Sequence, residues 1–174
     1  MKEFLYGVLN RILELFSKAS EKKPPPEQES CECFEYSRDG QVNEVRVSEN
    51  FMLDEFQCPC CKQVKLHPKL LSLAQELRKV INAPIVPTTL LGFAGAYRCE
   101  ERNTRAGGAP NSFHLYGMAI DVAVDPTGLT AGEFADRAID VGFKGIGIYS
   151  QSGFVHIDCR ETDEAIVFHD DTRG

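Results

Sequence analysis

Two histidines and an aspartate, carried by two separate segments, have the residue types and spacing that suit metal-dependent hydrolysis. Residues 112–121 contain His114 and Asp121, and residues 155–158 contain His156. A catalytic zinc site takes three such ligands from the protein and leaves the fourth tetrahedral position for water. We therefore predict that these three residues bind one zinc ion and that the chain is a metallohydrolase.

The spacing between His114 and Asp121 requires a change of backbone direction between them. A continuous helix would separate them by about 10 Å along its axis, and a continuous strand would place them on opposite faces. Gly117 lies between them and allows a loop that carries His114 to turn into a strand that carries Asp121. On that strand Asp121 shares a face with Ala119 and Ala123, whose small side chains leave room for an ion and a substrate.

The segment around His156 shows the same alternation. Val155 and Ile157 point to one face of a strand, and His156 and Asp158 point to the other. If this strand pairs with the strand of Asp121, both polar faces line one cleft. Asp158 then lies within about 7 Å of His156, where it either orients the imidazole or accepts a proton from metal-bound water. The competing interpretation is that these side chains are ordinary hydrogen-bonded polar groups.

An α+β domain, with a small antiparallel sheet and flanking helices, would position these residues. Apolar periodicity predicts two helices, at 67–80 and at 130–141, with Thr130 as the cap of the second. The predicted strands are 42–47, 84–87, 118–124, 146–149 and 154–158. Residues 48–50 form a turn, a Gly/Ala-rich loop leads to Tyr97, and the turn at 150–153 joins the last two strands into a hairpin.

The sequence also predicts a division into segments: an amphipathic helix at 1–18, a proline-rich linker at 19–30, one folded domain at 31–165 and an acidic tail at 166–174. The N-terminal helix either docks on its own domain or on a partner, or lies on a membrane surface. Asn10 and Arg11 interrupt its apolar residues, so no cleavable signal is evident.

Composition and charge exclude two classes of function. The formal net charge is −7 and the isoelectric point is near 5.1, whereas an electrostatic nucleic-acid binder needs a clustered excess of lysine and arginine. No apolar run approaches the roughly 20 residues that span a bilayer, so no transmembrane segment is predicted.

The seven cysteines include the tight group Cys58-Pro59-Cys60-Cys61. Three interpretations stay open for these thiols. They bind a second, structural zinc with a fourth ligand from Cys99, Cys31, Cys33 or His67; or Cys58 pairs with Cys99 in a disulfide; or they are reduced thiols that pack as small apolar groups. Strand alternation places Cys159 in the core, away from the face of His156, and His67 and His169 are not assigned to the catalytic ion.

Two motifs carry a resemblance to a known family. They are Ser112-x-His114-x-x-Gly117-x-Ala119-x-Asp121 and Phe154-Val155-His156-x-Asp158, supported by Phe51-x-x-x-Glu55-Phe56-x-Cys58 and by residues 145–149. From about Phe51 to Arg160 the chain resembles the zinc D-Ala-D-Ala carboxypeptidases of the peptidase M15 family, in their compact phage and bacterial branch. The wider superfamily includes murein endopeptidases and the hedgehog signalling domain. The resemblance implies a small hedgehog/DD-peptidase-like fold, with His114, Asp121 and His156 as the zinc ligands.

The resemblance also implies roles for further residues. Arg98 matches the family's Ser-Gly-Tyr-Arg segment and is expected to clamp a substrate carboxylate or carbonyl, for which a planar guanidinium is well suited. The segment differs here, because Gly95-Ala96 replaces Ser-Gly and residues 88–94 resemble an insertion. Ser112 either donates a hydrogen bond near the ion and substrate or caps a turn. Gly153 stands where family members with well-defined carboxypeptidase chemistry carry the acidic general base, a group that the compact branch also lacks, which leaves Asp158 as the local candidate for that role.

The resemblance implies a zinc-dependent peptidase that hydrolyses peptidoglycan stem or cross-bridge peptides, of the carboxypeptidase or the endopeptidase type. The alternative is a non-catalytic, zinc-stabilised binding or phage assembly module. The implied substrate lies in the cell wall or periplasm. Release through a phage lysis system, or delivery in a particle, would reconcile that location with the lack of an evident signal.

Overall fold

The computed structural model describes residues 43–88 and 95–169. Within these ranges the chain forms three α-helices and five strands. The helices are α1 (Pro68–Ile81), α2 (Glu100–Arg105) and α3 (Ala131–Val141). The strands are β1 (Val86–Pro87), β2 (Ala119–Ala123), β3 (Gly145–Tyr149), β4 (Phe154–Asp158) and β5 (Ile166–His169). The predicted α+β class is confirmed.

One sheet contains all five strands in the order β1-β2-β4-β3-β5. The first four strands pair antiparallel, as predicted, and β5 joins β3 in parallel, which makes the sheet mixed. The predicted hairpin is present, with a 3-10 turn at Ser150–Ser152 between β3 and β4. Asp121 lies opposite His156, His156 opposite Gly147, and Gly147 opposite Phe168. These four residues therefore form one row across the sheet on a single face.

The opposite face of the sheet is apolar and forms one side of the core. Its residues are fully or almost fully buried, and they are Ile120, Val122, Ile146, Ile148, Val155 and Ile157. Helix α3 packs on β3 and β4 and also contacts α1. Burying a side chain of this size stabilises the fold by about 1.5–3 kcal/mol. Cys159 is also buried in this core, as strand alternation predicts.

Local signals determine where the two longer helices begin. His67 is the N-cap of α1 and accepts a hydrogen bond from the Lys69 backbone at 3.2 Å, with Pro68 in the first turn. Thr130 and Glu133 form a reciprocal capping box at the start of α3. Both starts agree with the sequence prediction.

Four elements differ from the predictions. The predicted strand at 42–47 is, from residue 43 onward, a single bridge between Arg46 and Met52, and β1 is two residues long because proline lacks the N–H that continues a ladder. Helix α2 was not predicted; it is short, with acidic residues in its first turn and arginines in its last. Residues 166–169 of the predicted acidic tail form β5.

The predicted helix at 1–18, the linker at 19–30, and Cys31 and Cys33 lie outside the described residues. In the part of the chain that the structure describes, no helix has the length and apolar character needed to cross a membrane.

Candidate metal centre

The 3-10 turn Phe113–Tyr116 and strands β2 and β4 bring His114, Asp121 and His156 together. The turn ends at Gly117, which has a φ of 65°. A Cβ at that position would lie 2.2 Å from the Lys65 carbonyl oxygen, so both the conformation and the close approach require glycine. This turn carries His114 onto the face of β2 that bears Asp121, as the position of Gly117 predicts.

Three ligand atoms converge at one point of this centre. His156 Nδ1 lies 2.9 Å from Asp121 Oδ1, and His114 Nε2 lies 3.2 Å from the same oxygen. The two ring nitrogens are 3.1 Å apart. His114 and Asp121 are 2% and 5% exposed, so the convergence occurs in a largely dehydrated environment.

The outer hydrogen bonds of the two imidazoles determine which ring nitrogens face the centre as acceptors. His114 Nδ1 lies 2.7 Å from the Ala96 carbonyl oxygen, which can only accept, so Nδ1 carries the hydrogen. His156 Nε2 lies 3.1 Å from Asp158 Oδ2 and donates in the same way. With both rings neutral, two nitrogen lone pairs and a carboxylate oxygen then face one another. Such a set needs a cation between its members, and the N, N and O donors suit zinc.

In the absence of a metal ion, a proton on His156 supplies positive charge between these groups. Burial disfavours the charged form of His156, but hydrogen bonds to Asp121 and Asp158 outweigh it and raise the pKa of His156 to about 9. Burial lowers the pKa of His114. Burial opposes ionisation of Asp121, yet the two imidazoles beside it hold the pKa of its carboxyl well below the usual range. A metal ion at this centre therefore competes with a proton on His156.

Asp158 lies beside the outer edge of the His156 ring, away from the point of convergence. Its side chain is fully buried, and Arg160 holds it with Nε at 2.7 Å from Oδ1 and Nη2 at 2.5 Å from Oδ2. The Arg160 backbone N–H donates to Oδ1 at 3.1 Å. Burial opposes ionisation, but Arg160 and His156 lower the pKa of Asp158 to about 2. This geometry favours orientation of the imidazole over proton transfer at the centre.

Arg98 belongs to the same centre. Its guanidinium Nη2 donates to Asp121 Oδ2. The closest contacts of the two histidines are with the other oxygen, Oδ1. Its backbone N–H donates to the His114 carbonyl at 3.2 Å, and the neighbouring Gly95 carbonyl accepts from the Asp121 backbone at 2.5 Å. The structure thus places the predicted substrate clamp against a predicted metal ligand.

Ser112 and Gly153 lie at turns rather than among the ligand atoms. Ser112 Oγ accepts a hydrogen bond from the His114 backbone at 3.4 Å and caps the turn that carries His114. Gly153 ends the turn before β4 with a φ of 70°, and a Cβ there would have no heavy atom within 4 Å. Position 153 therefore has space for a side chain but an unfavourable backbone for one.

Two features that sequence reasoning missed complete the centre. Arg160 follows Asp158 by two residues, so the strand alternation that placed His156 and Asp158 together would also have indicated it. Phe168 on β5 has its ring centroid 6.0 Å from that of His156 and contacts Tyr149, which stacks on Phe154. These aromatic residues flank the histidine on the open face of the sheet.

The predicted second group of cysteines also converges. Four sulfur atoms lie within 4.8 Å of one another, those of Cys58, Cys60, Cys61 and Cys99. The described cysteines are all free thiols, so the disulfide between Cys58 and Cys99, one of the three interpretations left open, is not present in this structure. Burial disfavours the Cys58 thiolate, but hydrogen bonds from the Cys99, Cys60 and Cys61 backbones lower the pKa of Cys58 to about 7. His67 caps α1, and Cys99 is the fourth member of the group.

Comparison with known proteins agrees with this geometry. No curated protein gives a match to the chain. The family model described as Peptidase M15 matches residues 46–158, which include all three converging ligands as well as Arg98 and Asp158. This match covers well over half of the chain, and the chain therefore belongs to the peptidase M15 family.

Proposed function

We propose that this chain is a zinc-dependent peptidase that hydrolyses stem or cross-bridge peptides of peptidoglycan. The observation that carries the proposal is the convergence of two imidazole nitrogens and one carboxylate oxygen, with both ring tautomers determined by outer partners, in a chain of the peptidase M15 family. When bound, zinc supplies a Lewis acid that polarises a scissile carbonyl and activates water at neutral pH.

The roles of the protein residues follow from their contacts. His114, Asp121 and His156 would hold the ion. The Ala96 carbonyl and the Asp158 carboxylate orient the two imidazoles, so that little rearrangement is needed when the ion binds. Arg160 holds Asp158 in a bidentate geometry that fixes the carboxylate plane.

Arg98 brings a permanent positive charge to the edge of the centre. It orients Asp121 through Nη2, and the planar guanidinium fork has the geometry that suits a carboxylate or a carbonyl. We assign it a second contact, to the carboxylate or carbonyl of the substrate peptide. The aromatic residues Phe168, Tyr149 and Phe154 lie on the same face of the sheet, where they would provide an apolar wall for the peptide.

One observation favours a second candidate function, a non-catalytic zinc-stabilised binding or phage assembly module. Within the described residues, the two carboxylates that contact the histidines are both engaged, Asp121 with Arg98 and Asp158 with Arg160. Position 153, where the resemblance places a general base, is glycine. A binding module would need the ion for structure but would not need a base.

An assay with purified muropeptides separates the two candidates. The full chain is incubated with cross-linked dimers and with pentapeptide monomers, after zinc loading and after chelation, and the products are identified by mass spectrometry. Zinc-dependent loss of a terminal D-alanine indicates a carboxypeptidase, and separation of dimers indicates an endopeptidase. Intact substrates in the presence of stoichiometric zinc at the His114, Asp121 and His156 centre would overturn the enzyme proposal. His156→Ala is the matched inactive control.

A further inference from the structure

A second group of potential metal ligands lies outside the centre described above. It consists of Cys58, Cys60 and Cys61 in one tight turn and Cys99 at the N-cap of α2. We propose that these four thiolates bind a structural zinc ion, which links the turn at 58–61 to the segment that supports the catalytic ligands. This site does not depend on the proposed peptidase activity.

The distances between the sulfur atoms agree with a tetrahedral site. The separations are 3.4 Å from Cys58 to Cys60, 3.2 Å from Cys60 to Cys99 and 3.8 Å from Cys58 to Cys99. Four sulfurs at about 2.3 Å from a zinc ion stand about 3.8 Å apart at the corners of a tetrahedron. A disulfide has its sulfurs about 2.05 Å apart, so these pairs are well beyond bonding distance. A disulfide would also use two thiols and leave two unexplained.

The backbone of the turn is shaped to present its thiols in one direction. The Cys58 N–H donates to the Gln63 carbonyl at 2.8 Å, and the Lys62 N–H donates to the Cys58 carbonyl at 2.9 Å. Lys62 adopts a φ of 59°, which is uncommon for a non-glycine residue. The turn therefore closes on itself and brings three cysteines from four consecutive positions to one side, while Cys99 approaches from a point 41 residues later.

The site is connected to the catalytic centre through the residues that precede Cys99. The Tyr97 N–H donates to the Phe56 carbonyl at 3.1 Å, two residues before Cys58. On either side of Tyr97, the Ala96 carbonyl accepts from His114 and the Arg98 guanidinium pairs with Asp121. A zinc ion that joins Cys99 to the turn therefore adds a second attachment, next to Arg98, to the short segment that orients two of the three catalytic ligands.

Metal content of the purified full chain tests the proposal. The wild type is expected to contain two zinc ions per chain by elemental analysis, and His114→Ala should contain one. Cys60→Ser/Cys61→Ser should also contain one, while the matched control Cys31→Ser/Cys33→Ser keeps two. In the His114→Ala background, cobalt should give the near-ultraviolet sulfur-to-metal charge-transfer band of thiolate ligation. The loss of zinc from the control pair instead of from the Cys60/Cys61 pair would overturn the assignment.

A measurement on the wild type keeps the test independent of whether the cysteine variants fold. Cys60 and Cys61 are exposed in the structure, so iodoacetamide can reach both. The hydrogen bond with Cys99 raises the pKa of Cys60 to about 12 and desolvation raises the pKa of Cys61, so the alkylation is run at alkaline pH, where free thiols react through their thiolates. Zinc ligation should protect both until a chelator is added, which peptide mapping by mass spectrometry detects. Rapid alkylation of both in the zinc-replete protein would overturn the proposal, as would a disulfide or bound iron. A chain with thiolate-bound zinc and no peptidase activity would support this site while contradicting the proposed function.

Discussion

Arg160 donates to both carboxylate oxygens of Asp158, and the same carboxylate accepts a hydrogen bond from His156 Nε2. The chain Arg160–Asp158–His156 therefore leads from a charged, partly exposed side chain to the imidazole whose other nitrogen, Nδ1, faces the metal centre. An outer carboxylate of this kind fixes the tautomer and raises the basicity of the imidazole. The two roles considered for Asp158, positioning and general base, make different predictions.

Replacing Asp158 with Asn should weaken zinc binding at the His114, Asp121 and His156 centre. Outer-shell partners of metal-bound histidines contribute about 10–100-fold in metal affinity or activity. We expect a loss in this range, measured by competition with a chelating zinc indicator, in parallel with a loss of kcat. Arg160→Gln should change affinity in the same direction by a smaller factor, because it leaves the carboxylate in place but less well oriented.

A general-base role for Asp158 would give a different pattern. Asp158→Asn would then leave zinc affinity unchanged and reduce kcat by a factor of about 10²–10⁴. Arg160→Gln would have little effect on zinc. This outcome would contradict the positioning role.

Zinc affinity at the catalytic centre should depend on pH through His156. In the metal-free protein the pKa of His156 is raised to about 9, whereas the pKa of His114 is lowered and the Asp121 carboxyl stays ionised. Zinc binding therefore displaces one proton from His156 at any pH below about 9. The apparent affinity should rise about tenfold per pH unit between pH 6.5 and 8.

Zinc titrations at several pH values in the Cys60→Ser/Cys61→Ser background measure this slope without the thiolate site. Two displaced protons per ion would indicate that His114 is protonated as well. Affinity that does not change with pH would show that His156 is already neutral in the metal-free protein.

Arg98 is expected to recognise the C-terminal end of the substrate peptide. If its guanidinium binds a terminal carboxylate, Arg98→Gln should raise KM about 10–100-fold, which corresponds to about 1.5–3 kcal/mol for a charge-assisted hydrogen bond. Amidation of the peptide C-terminus should raise the KM of the wild type by a similar factor and should change the KM of Arg98→Gln very little. The four kcat/KM values form a cycle that isolates this contact.

Two other outcomes assign Arg98 differently. Independent, multiplicative effects of amidation and substitution would show that Arg98 does not contact the terminal carboxylate. A fall in zinc affinity without a change in KM would restrict Arg98 to orienting Asp121.

Sequence alternation was sufficient to predict how Asp121 and His156 meet, because side chains two residues apart must share a face of a strand. It could not predict the contact between the Ala96 carbonyl and His114, because every residue has a backbone carbonyl and the residue type does not indicate which one accepts. Strand β5 was missed because its four exposed residues show no alternation and it pairs with β3 in parallel, a non-local contact. The sequence left several candidates for the fourth ligand of the cysteine group. Only the fold shows that Cys99 is the one that lies beside the turn at 58–61.

Gly145 lies opposite Asp158 in the pairing of β3 with β4. A Cβ at this position would stand 2.1 Å from Asp158 Oδ2, too close for the carboxylate to stay where Arg160 and His156 hold it. Gly145→Ala should therefore destabilise the fold by about 1–3 kcal/mol, as overpacked cores do. It should also weaken zinc binding in the same direction as Asp158→Asn, because the carboxylate must move away from His156.

Gly132 provides the matched control for this substitution. It lies in α3, and an added Cβ there has no heavy atom within 4 Å, so Gly132→Ala should stabilise the fold by up to about 1 kcal/mol through helix propensity. Urea denaturation of the zinc-loaded variants measures the stability change of both substitutions. Competition with the zinc indicator measures the zinc affinity of Gly145→Ala. If Gly145→Ala lowers stability but leaves zinc affinity at the wild-type value, the carboxylate moves without consequence for His156. Asp158 would then not be the group that holds the imidazole in place.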